Sequence, residues 1–380
     1  MSVKPKICFI TASELTVRWF LLDQLNALGQ HYDVTLIVNT DNADFLVDTG
    51  VAVRVLPVRI ERKISLWRDG LALLHLMWIM RREKFAAVHS VTPKAGLLAM
   101  LAAGICRVPV RIHTFTGQVW ATRKGSARRL LKLLDTVTAR LTTHLLVDGF
   151  KQRDFLIDEQ VTTAVRASVL GHGSLHGVDI SQFAFKPEVR KVMRQKLNLG
   201  LGDVVFIYLG RLNPDKGVLD LAAAFTQAAR PNWSWLIVGP DEEKLMPEIM
   251  RICESVKEMV HYLGASKHPE NEMAAADVLC LPSYREGFNN TVMEAAAMSI
   301  PVLASRIYGI TDAVVEGETG LLHAPRAVDE IVAKMRLLAD DADLRKRLGE
   351  QGMQRAQRDF SQAYVTGEVL AFYERVVPLD

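Results

Sequence analysis

Residues 277–300, DVLCLPSYREGFNNTVMEAAAMSI, read as a strand, a loop and a helix. Asp277 to Leu281 is a short apolar run of the kind that fills a buried parallel strand. Pro282 stops it. Ser283 to Asn290 is polar and holds Gly287, the composition of a loop. From Thr291 the chain turns apolar and alanine-rich, which favours helix. Ligands of open α/β sheets bind at the carboxyl ends of strands, where such turns lie. Two carboxylates, Glu286 and Glu294, bracket this turn. The N–H groups that open the helix near Asn290 and Thr291 attract an anion. Thr291-Val-Met-Glu294 also fits a capping box, in which Glu294 would only return a hydrogen bond to the helix start.

A second loop of this kind lies upstream. Val204 to Gly217, VVFIYLGRLNPDKG, is a strand followed by Gly210-Arg211 and a loop ending at Lys216-Gly217. Gly210 lets the backbone approach a ligand. Arg211 offers a planar fork for phosphate, and Lys216 a point charge. Either loop alone could be an ordinary solvated connection. If both follow strands of one sheet, two cations, two carboxylates and a helix N-terminus face one crevice, a set that suits a sugar nucleotide.

The rest of the chain supports an α/β architecture. Its 380 residues suffice for two domains. Strand-like segments at Ile7–Thr11, Val34–Val38, Val51–Val58, Ala87–Val91, Val110–Phe115 and Leu145–Val147 alternate with helical ones. The helical segments are Val17–Leu28 (ended by Gly29), Leu66–Met80, Pro93–Gly104 and Gly125–Leu141. That alternation predicts a parallel sheet covered on both faces. Val169–Asp179 is rich in glycine and marks the connection to a second α/β unit. Its strands are Val204–Leu209, Trp235–Val238, Asp277–Leu281 and Val302–Ser305. Helices dominate from Asp329, and the last, Gln362–Val376, is amphipathic. The four cysteines are scattered, with no C-x-x-C pair, and read as buried reduced thiols. No secretory leader is expected, and the longest apolar runs, Leu71–Met80 and Ala95–Cys106, are too short to span a bilayer.

The net charge of +3 hides an asymmetry: residues 1–180 carry +8 and residues 181–380 carry −5. Arg54 to Lys132 alone carries +13, which predicts an anionic partner. Arg123, Lys124, Arg128, Arg129 and Lys132 alternate with leucines as in a basic helix lying on an anionic membrane. A half-buried helix with a charged outer face explains the same pattern. Trp67 and Trp120 lie near such segments and read equally as interfacial or core.

Taken together, these motifs resemble the retaining glycosyltransferases of family 4, which have two Rossmann-like domains facing a cleft (the B-type fold). The matching residues are Gly210-Arg211-Leu212 with Lys216-Gly217, Pro282 to Phe288, Glu286 and Glu294, Gly317 to Leu322, and Gly173-Ser174 with Gly177-Val178-Asp179. The resemblance implies an N-terminal acceptor-binding domain, 1–183, completed by a C-terminal helix, 362–380. It implies a nucleotide-sugar-binding domain at 184–361. By that resemblance Arg211 and Lys216 hold the donor diphosphate and Glu294 the ribose. Glu286 holds the donor sugar with Gly287, Phe288 and Asn289, and amides near Asn290 and Thr291 complete the phosphate cradle. His113 would reach the donor sugar, and Ser13 stands in the acceptor or phosphate loop, although Thr11-Ala-Ser-Glu14 lacks the glycine pair of many members.

The implied chemistry is transfer from a UDP-sugar, with no metal or other cofactor. The implied acceptor is a polyprenyl-diphosphate-linked saccharide used in bacterial surface-glycan assembly. The implied place is the cytoplasmic face of an anionic membrane, with no nucleic-acid partner. A sugar-nucleotide 2-epimerase of similar fold, or a non-enzymatic basic adaptor, would share parts of this pattern. A dinucleotide oxidoreductase would not: Gly171-His-Gly173-Ser-Leu-His176 lacks the third glycine of its fingerprint.

Overall fold

The computed structural model describes residues 4–61, 65–200 and 202–379. Arg62 and Lys63 of the basic stretch, and the outermost ends of the expected domains, lie outside them. The chain divides into two compact units, Met1–Gly177 with Gln362–Asp380, and Val178–Ser361. The boundary therefore falls a few residues before the one expected at 183.

The first unit runs β1 (Lys6–Thr11), α1 (Glu14–Phe20), α2 (Leu22–His31), β2 (Asp33–Val38), β3 (Arg54–Pro57), α3 (Leu66–Glu83), β4 (Ala87–Val91) and α4 (Pro93–Ile105). It continues with β5 (Val110–Phe115), α5 (Gly125–Leu141), β6 (His144–Val147), α6 (Phe150–Asp158) and β7 (Ala167–Ser168). The strands form one parallel sheet in the order β3-β2-β1-β4-β5-β6-β7. Alternate residues of β1 feed opposite cores. Ile7 and Phe9 face α2 and the chain's last helix, α15 (Gln362–Val376), while Cys8 and Ile10 face α3 and α4. α15 is tied into this unit by polar bonds in an apolar setting. Tyr373 Oη lies 2.9 Å from His89 Nδ1, and Tyr32 Oη donates to the Val377 carbonyl at 3.0 Å.

The second unit runs α7 (Pro187–Lys196), β8 (Val204–Leu209), α8 (Val218–Ala228), β9 (Trp233–Val238), α9 (Met246–Ile252), β10 (Val260–Gly264), α10 (Pro269–Ala274) and β11 (Val278–Leu281). After these come α11 (Asn290–Ala297), β12 (Val302–Ser305), α12 (Tyr308–Thr311), β13 (Gly320–His323), α13 (Val328–Asp340) and α14 (Ala342–Asp359). Its parallel sheet has the order β10-β9-β8-β11-β12-β13. The strands are buried on both faces, which is why VVFIYL and VLCL are continuous apolar runs rather than alternating ones. The strand order reverses between β8 and β11, so the loops after these two strands flank one crevice.

Several local expectations change. The helix expected over 17–28 is two helices, and the second passes through Gly29 to His31. Gly29 does not take the left-handed conformation that a glycine stop requires. The capping box at Thr291 does not form. Asn289 is the cap instead, its Oδ1 accepting from the Val292 amide at 3.2 Å, so Glu294 is not used to close the helix. The short strands β7, β10 and β13 and the helix α6 have no counterpart among the expected elements.

One ion cluster anchors the strand that leads to the quoted loop. Asp277 accepts from Arg190 at 2.5 Å, from Arg194 at 2.7 Å and from the Val205 amide at 2.7 Å. Arg194 is fully buried and also donates to the carbonyls of Ala275, Gly200 and Asp203. Asp277→Ala strips a buried guanidinium of its counter-ion, so it should destabilise the protein by about 3–5 kcal/mol in urea unfolding. A loss below about 1 kcal/mol would show that the cluster is not an anchor.

Candidate functional site

The two loops at the strand-order reversal in the second unit are built against each other. Gly217 has φ of +64°, and a Cβ there would lie 2.1 Å from the Pro282 carbonyl oxygen. Only glycine lets the β8 loop approach the β11 loop this closely. The Tyr284 amide donates to the Asp215 carbonyl at 2.8 Å, and the Arg285 guanidinium pairs with the Asp215 carboxylate at 3.1 Å. Tyr284 Oη donates to Asp220 at 2.6 Å under the Arg326 guanidinium, 4.0 Å from the ring centroid. From the far side, a Cβ on Gly309 would lie 1.9 Å from the Gly287 carbonyl oxygen, so α12 also presses on the loop.

This frame brings Lys216 and Glu286 together. Lys216 Nζ donates to both carboxylate oxygens of Glu286, at 2.6 and 2.8 Å, and the two side chains are only 19% and 10% exposed. The Ser283 hydroxyl, fully buried, donates to Glu286 Oε1 at 2.7 Å. Arg211 is more open. Its guanidinium meets Glu242 at 3.1 Å across a solvent-exposed pair, and such pairs exchange readily for a better anion. The backbone beneath it is held by Tyr208, whose hydroxyl donates to the Arg211 carbonyl at 2.8 Å. Gly210 lies against Gly239, where a Cβ would meet the Gly210 carbonyl oxygen at 1.9 Å.

On the other side of the crevice, Phe288 packs its ring on Phe360 at 5.0 Å and steers the chain into α11. Asn290 and Thr291 form the first turn of that helix, whose N-terminus carries the partial positive charge of the dipole. Glu294 lies one turn further, half-buried, and has no hydrogen bond or ion pair among the described residues. Burial, with the Glu270 charge second, raises its pKa from the ordinary 4.5 to about 7. An acceptor group held near neutrality without a partner suits a neutral hydroxyl donor.

The remaining expected residues lie in the first unit. His113, on β5, is fully enclosed. Its Nδ1 is 2.8 Å from Ser90 Oγ, its Nε2 has no partner among the described residues, and a Cβ on Gly96 of α4 would lie 2.2 Å from its Cε1. Burial lowers its pKa to about 3, so it stands neutral at ordinary pH and offers a hydrogen bond rather than a charge. Ser13 precedes α1 in extended conformation, with no side-chain cap bond. On α5, Arg128 and Lys132 both reach Glu159, at 2.6 and 2.8 Å, and lie over the buried Trp120 ring. Trp120 is core, its indole donating to Asp135 at 2.7 Å. Arg123, Lys124 and Arg129 are exposed. Among the described residues no cluster of three or more His, Cys, Asp or Glu is placed to hold a metal, and no helix is long and apolar enough to cross a membrane.

Sequence reasoning missed Ser283, Asp215, Asp220, Glu242, Gly239 and Gly309. Ser283 stood inside the quoted motif. The others show only through contacts between distant segments.

Residues 189–355 match the family model described as "Glycosyl transferases group 1", and residues 17–173 match the "Glycosyl transferase 4-like domain". The chain is 28% identical over 341 residues to the capsular polysaccharide biosynthesis glycosyltransferase CapM of Staphylococcus aureus, covering 89% of this chain and 88% of that one. It is 28% identical over 325 residues to the UDP-Gal:alpha-D-GlcNAc-diphosphoundecaprenol alpha-1,3-galactosyltransferase of Escherichia coli, covering 82% and 81%. Among solved structures, Anabaena Alr3699/HepE in complex with UDP and glucose superposes with a TM-score of 0.81 at 19% identity, over 98% of this chain and 100% of that one.

The Glu294 carboxyl gives a signed prediction. Its folded pKa is raised above the unfolded value, so its ionisation destabilises the fold as pH rises from about 4.5 through about 7. Glu294→Gln should therefore match the wild type in urea at pH 4.5 and exceed it by about 1–2 kcal/mol at pH 8. At the same pH 8 its affinity for a nucleoside diphosphate should fall about tenfold, measured by calorimetry. Equal stability at both pH values would refute the raised pKa, and unchanged nucleotide affinity would remove Glu294 from the site.

Proposed function

The chain belongs to the glycosyl transferases group 1 family, and we propose that it moves a sugar from a UDP-sugar to a lipid-linked glycan acceptor, retaining the anomeric configuration. The observation that carries the donor half is the pairing of the β8 and β11 loops at the strand-order reversal, with Lys216 bonded to Glu286. There, cations for a diphosphate and acceptors for sugar and ribose hydroxyls share one crevice. The UDP and glucose named in the Anabaena complex support this donor class. The UDP-Gal and diphosphoundecaprenol named for the Escherichia coli relative support the acceptor class. The capsular polysaccharide role named for the Staphylococcus aureus relative supports work on surface glycans.

On this proposal the incoming diphosphate takes Lys216 and Arg211 from their carboxylate partners. Glu286, still hydrogen-bonded by Ser283, turns its released oxygens to the donor sugar, steadied by the backbone of Gly287, Phe288 and Asn289. Glu294 takes the ribose hydroxyls, and the α11 amides at Asn290 and Thr291 meet phosphate oxygens. The bond from the anomeric carbon to the diphosphate oxygen breaks first in the transition state, and negative charge builds on the leaving group. Arg211 and Lys216, once drawn onto the diphosphate, meet that charge as it develops and stabilise it. The acceptor hydroxyl attacks from the face the diphosphate leaves, and the departing phosphate takes its proton. His113 and Ser13 are proposed to serve the first unit's share of the substrates. The cations make a metal unnecessary on this proposal, and the chain works at the cytoplasmic face of a membrane.

Arg211→Ala and Lys216→Ala should each lower kcat by about 10²–10³, the cost of losing one preorganised donor to a developing oxyanion, with unchanged circular dichroism. The assay is nucleotide release from a panel of UDP- and GDP-sugars in EDTA, with and without polyprenyl-diphosphate-linked saccharides. Acceptor-dependent release of UDP from one donor is the expected result. Release without any acceptor, or turnover near normal in both variants, would contradict the proposal.

A further inference from the structure

The first unit carries an apolar stripe that its own core does not use. On α3, Ala72, Leu76, Ile79 and Met80 are buried against the sheet, as an amphipathic helix requires. The opposite face should be polar. Instead it presents Trp67 (77% exposed), Leu71 (50%), Leu74 (62%) and Trp78 (55%), spaced by four, three and four residues. That spacing lines them along one side of the helix over about 16 Å. Leu66, at the helix start, is 88% exposed. Single exposed apolar residues are ordinary, but an aligned stripe with two tryptophans marks an interaction surface.

The charges around the stripe say what covers it. Past its C-terminal end, Arg81, Arg82, Lys84 and Arg107 are exposed, with no ion pair among the described residues. Ile105, at the end of the neighbouring α4, adds an exposed apolar side chain at 53%, and the Cys106 thiol lies on the Met77 carbonyl at 3.6 Å, which places that corner beside α3. The acids of α3 are already engaged: Asp69 with Lys94 at 2.6 Å, and Glu83 with Lys6 and Arg54 at 3.1 and 3.0 Å. The face is therefore apolar with a cationic end. A second copy of the chain seated on it by a two-fold axis would bring the same cations into the same interface. An anionic bilayer supplies both an apolar layer for the stripe and negative charge for the rim, and tryptophan favours that boundary.

We infer that α3, through Trp67, Leu71, Leu74 and Trp78 with the cations at its C-terminal end, is the helix by which this protein lies on an anionic lipid surface. The assignment moves the contact away from α5, where Arg128 and Lys132 are held by Glu159. It deepens the proposed function by supplying the surface that brings the chain to a lipid-linked acceptor. Its test uses no donor or acceptor, so its failure is separate from a failure of that reading.

The experiment is sedimentation of the full chain with vesicles of phosphatidylglycerol and phosphatidylcholine, and with phosphatidylcholine alone. The variant Trp67→Gln/Leu71→Gln/Leu74→Gln/Trp78→Gln changes only exposed positions, and its folding is checked by an unchanged urea-unfolding midpoint. The wild type should bind the anionic vesicles, at least tenfold more tightly than neutral ones, and the variant should bind them at least tenfold more weakly than the wild type. Arg81→Gln/Arg82→Gln/Lys84→Gln should lose the preference for the anionic vesicles. Brominated lipid should quench wild-type tryptophan emission more than that of Trp67→Phe/Trp78→Phe. Equal vesicle binding by wild type and the four-residue variant would overturn the inference. So would a wild-type dimer in analytical ultracentrifugation that the variant abolishes while neither protein binds vesicles.

Discussion

The bidentate ion pair between Lys216 and Glu286 is the contact on which the candidate site depends. It joins two loops seventy residues apart in sequence, in a place where both side chains are mostly out of water. A partly buried pair of this kind is costly to break unless each member finds a replacement. A sugar nucleotide offers both at once, an anion for the lysine and hydroxyls for the carboxylate. The pair therefore holds the two loops in register and sets a chemical condition for parting it.

The pair exists because the backbones around it come unusually close. Gly217 against Pro282, Gly309 against Gly287 and Gly239 against Gly210 are each approaches that a Cβ would block. Below them, Asp277 and the buried Arg194 fix where β11 starts relative to β8. The sheet then places both loops at the point where strand order reverses, the position that leaves a crevice between neighbouring connections. Side-chain chemistry at the top is thus set by glycine contacts at loop level and an ion cluster at the far end of the strand.

Much of this was legible in the sequence because parallel strands buried on both faces leave uninterrupted apolar runs. VVFIYL and VLCL stand out for that reason, while the connection near the unit boundary stands out for its glycines. Arg211, Lys216 and Glu286 were singled out because each follows such a run, and Glu294 because it lies on the helix beyond the second loop. What stayed hidden was mostly non-local. Asp215, Asp220 and Glu242 look like ordinary loop acids until their partners arrive from elsewhere in the chain. Thr291 and Glu294 have capping-box spacing, yet Asn289 two residues earlier makes the bond, which removes the capping alternative for Glu294. The end of α2 was misread because a glycine in sequence does not show its φ. The two tryptophans left open between core and surface separate cleanly, Trp120 into the core under α5 and Trp67 onto the outside of α3.

In the proposed donor site, an incoming diphosphate displaces the Lys216–Glu286 pair. The direct measurement is a crystal structure of the protein with UDP. The account predicts the diphosphate within hydrogen-bond distance of Lys216 and Arg211, the ribose hydroxyls on Glu294, and Lys216 Nζ no longer bonded to both Glu286 oxygens. UDP bound elsewhere, or bound in this crevice with that pair intact and Arg211 still on Glu242, would contradict it.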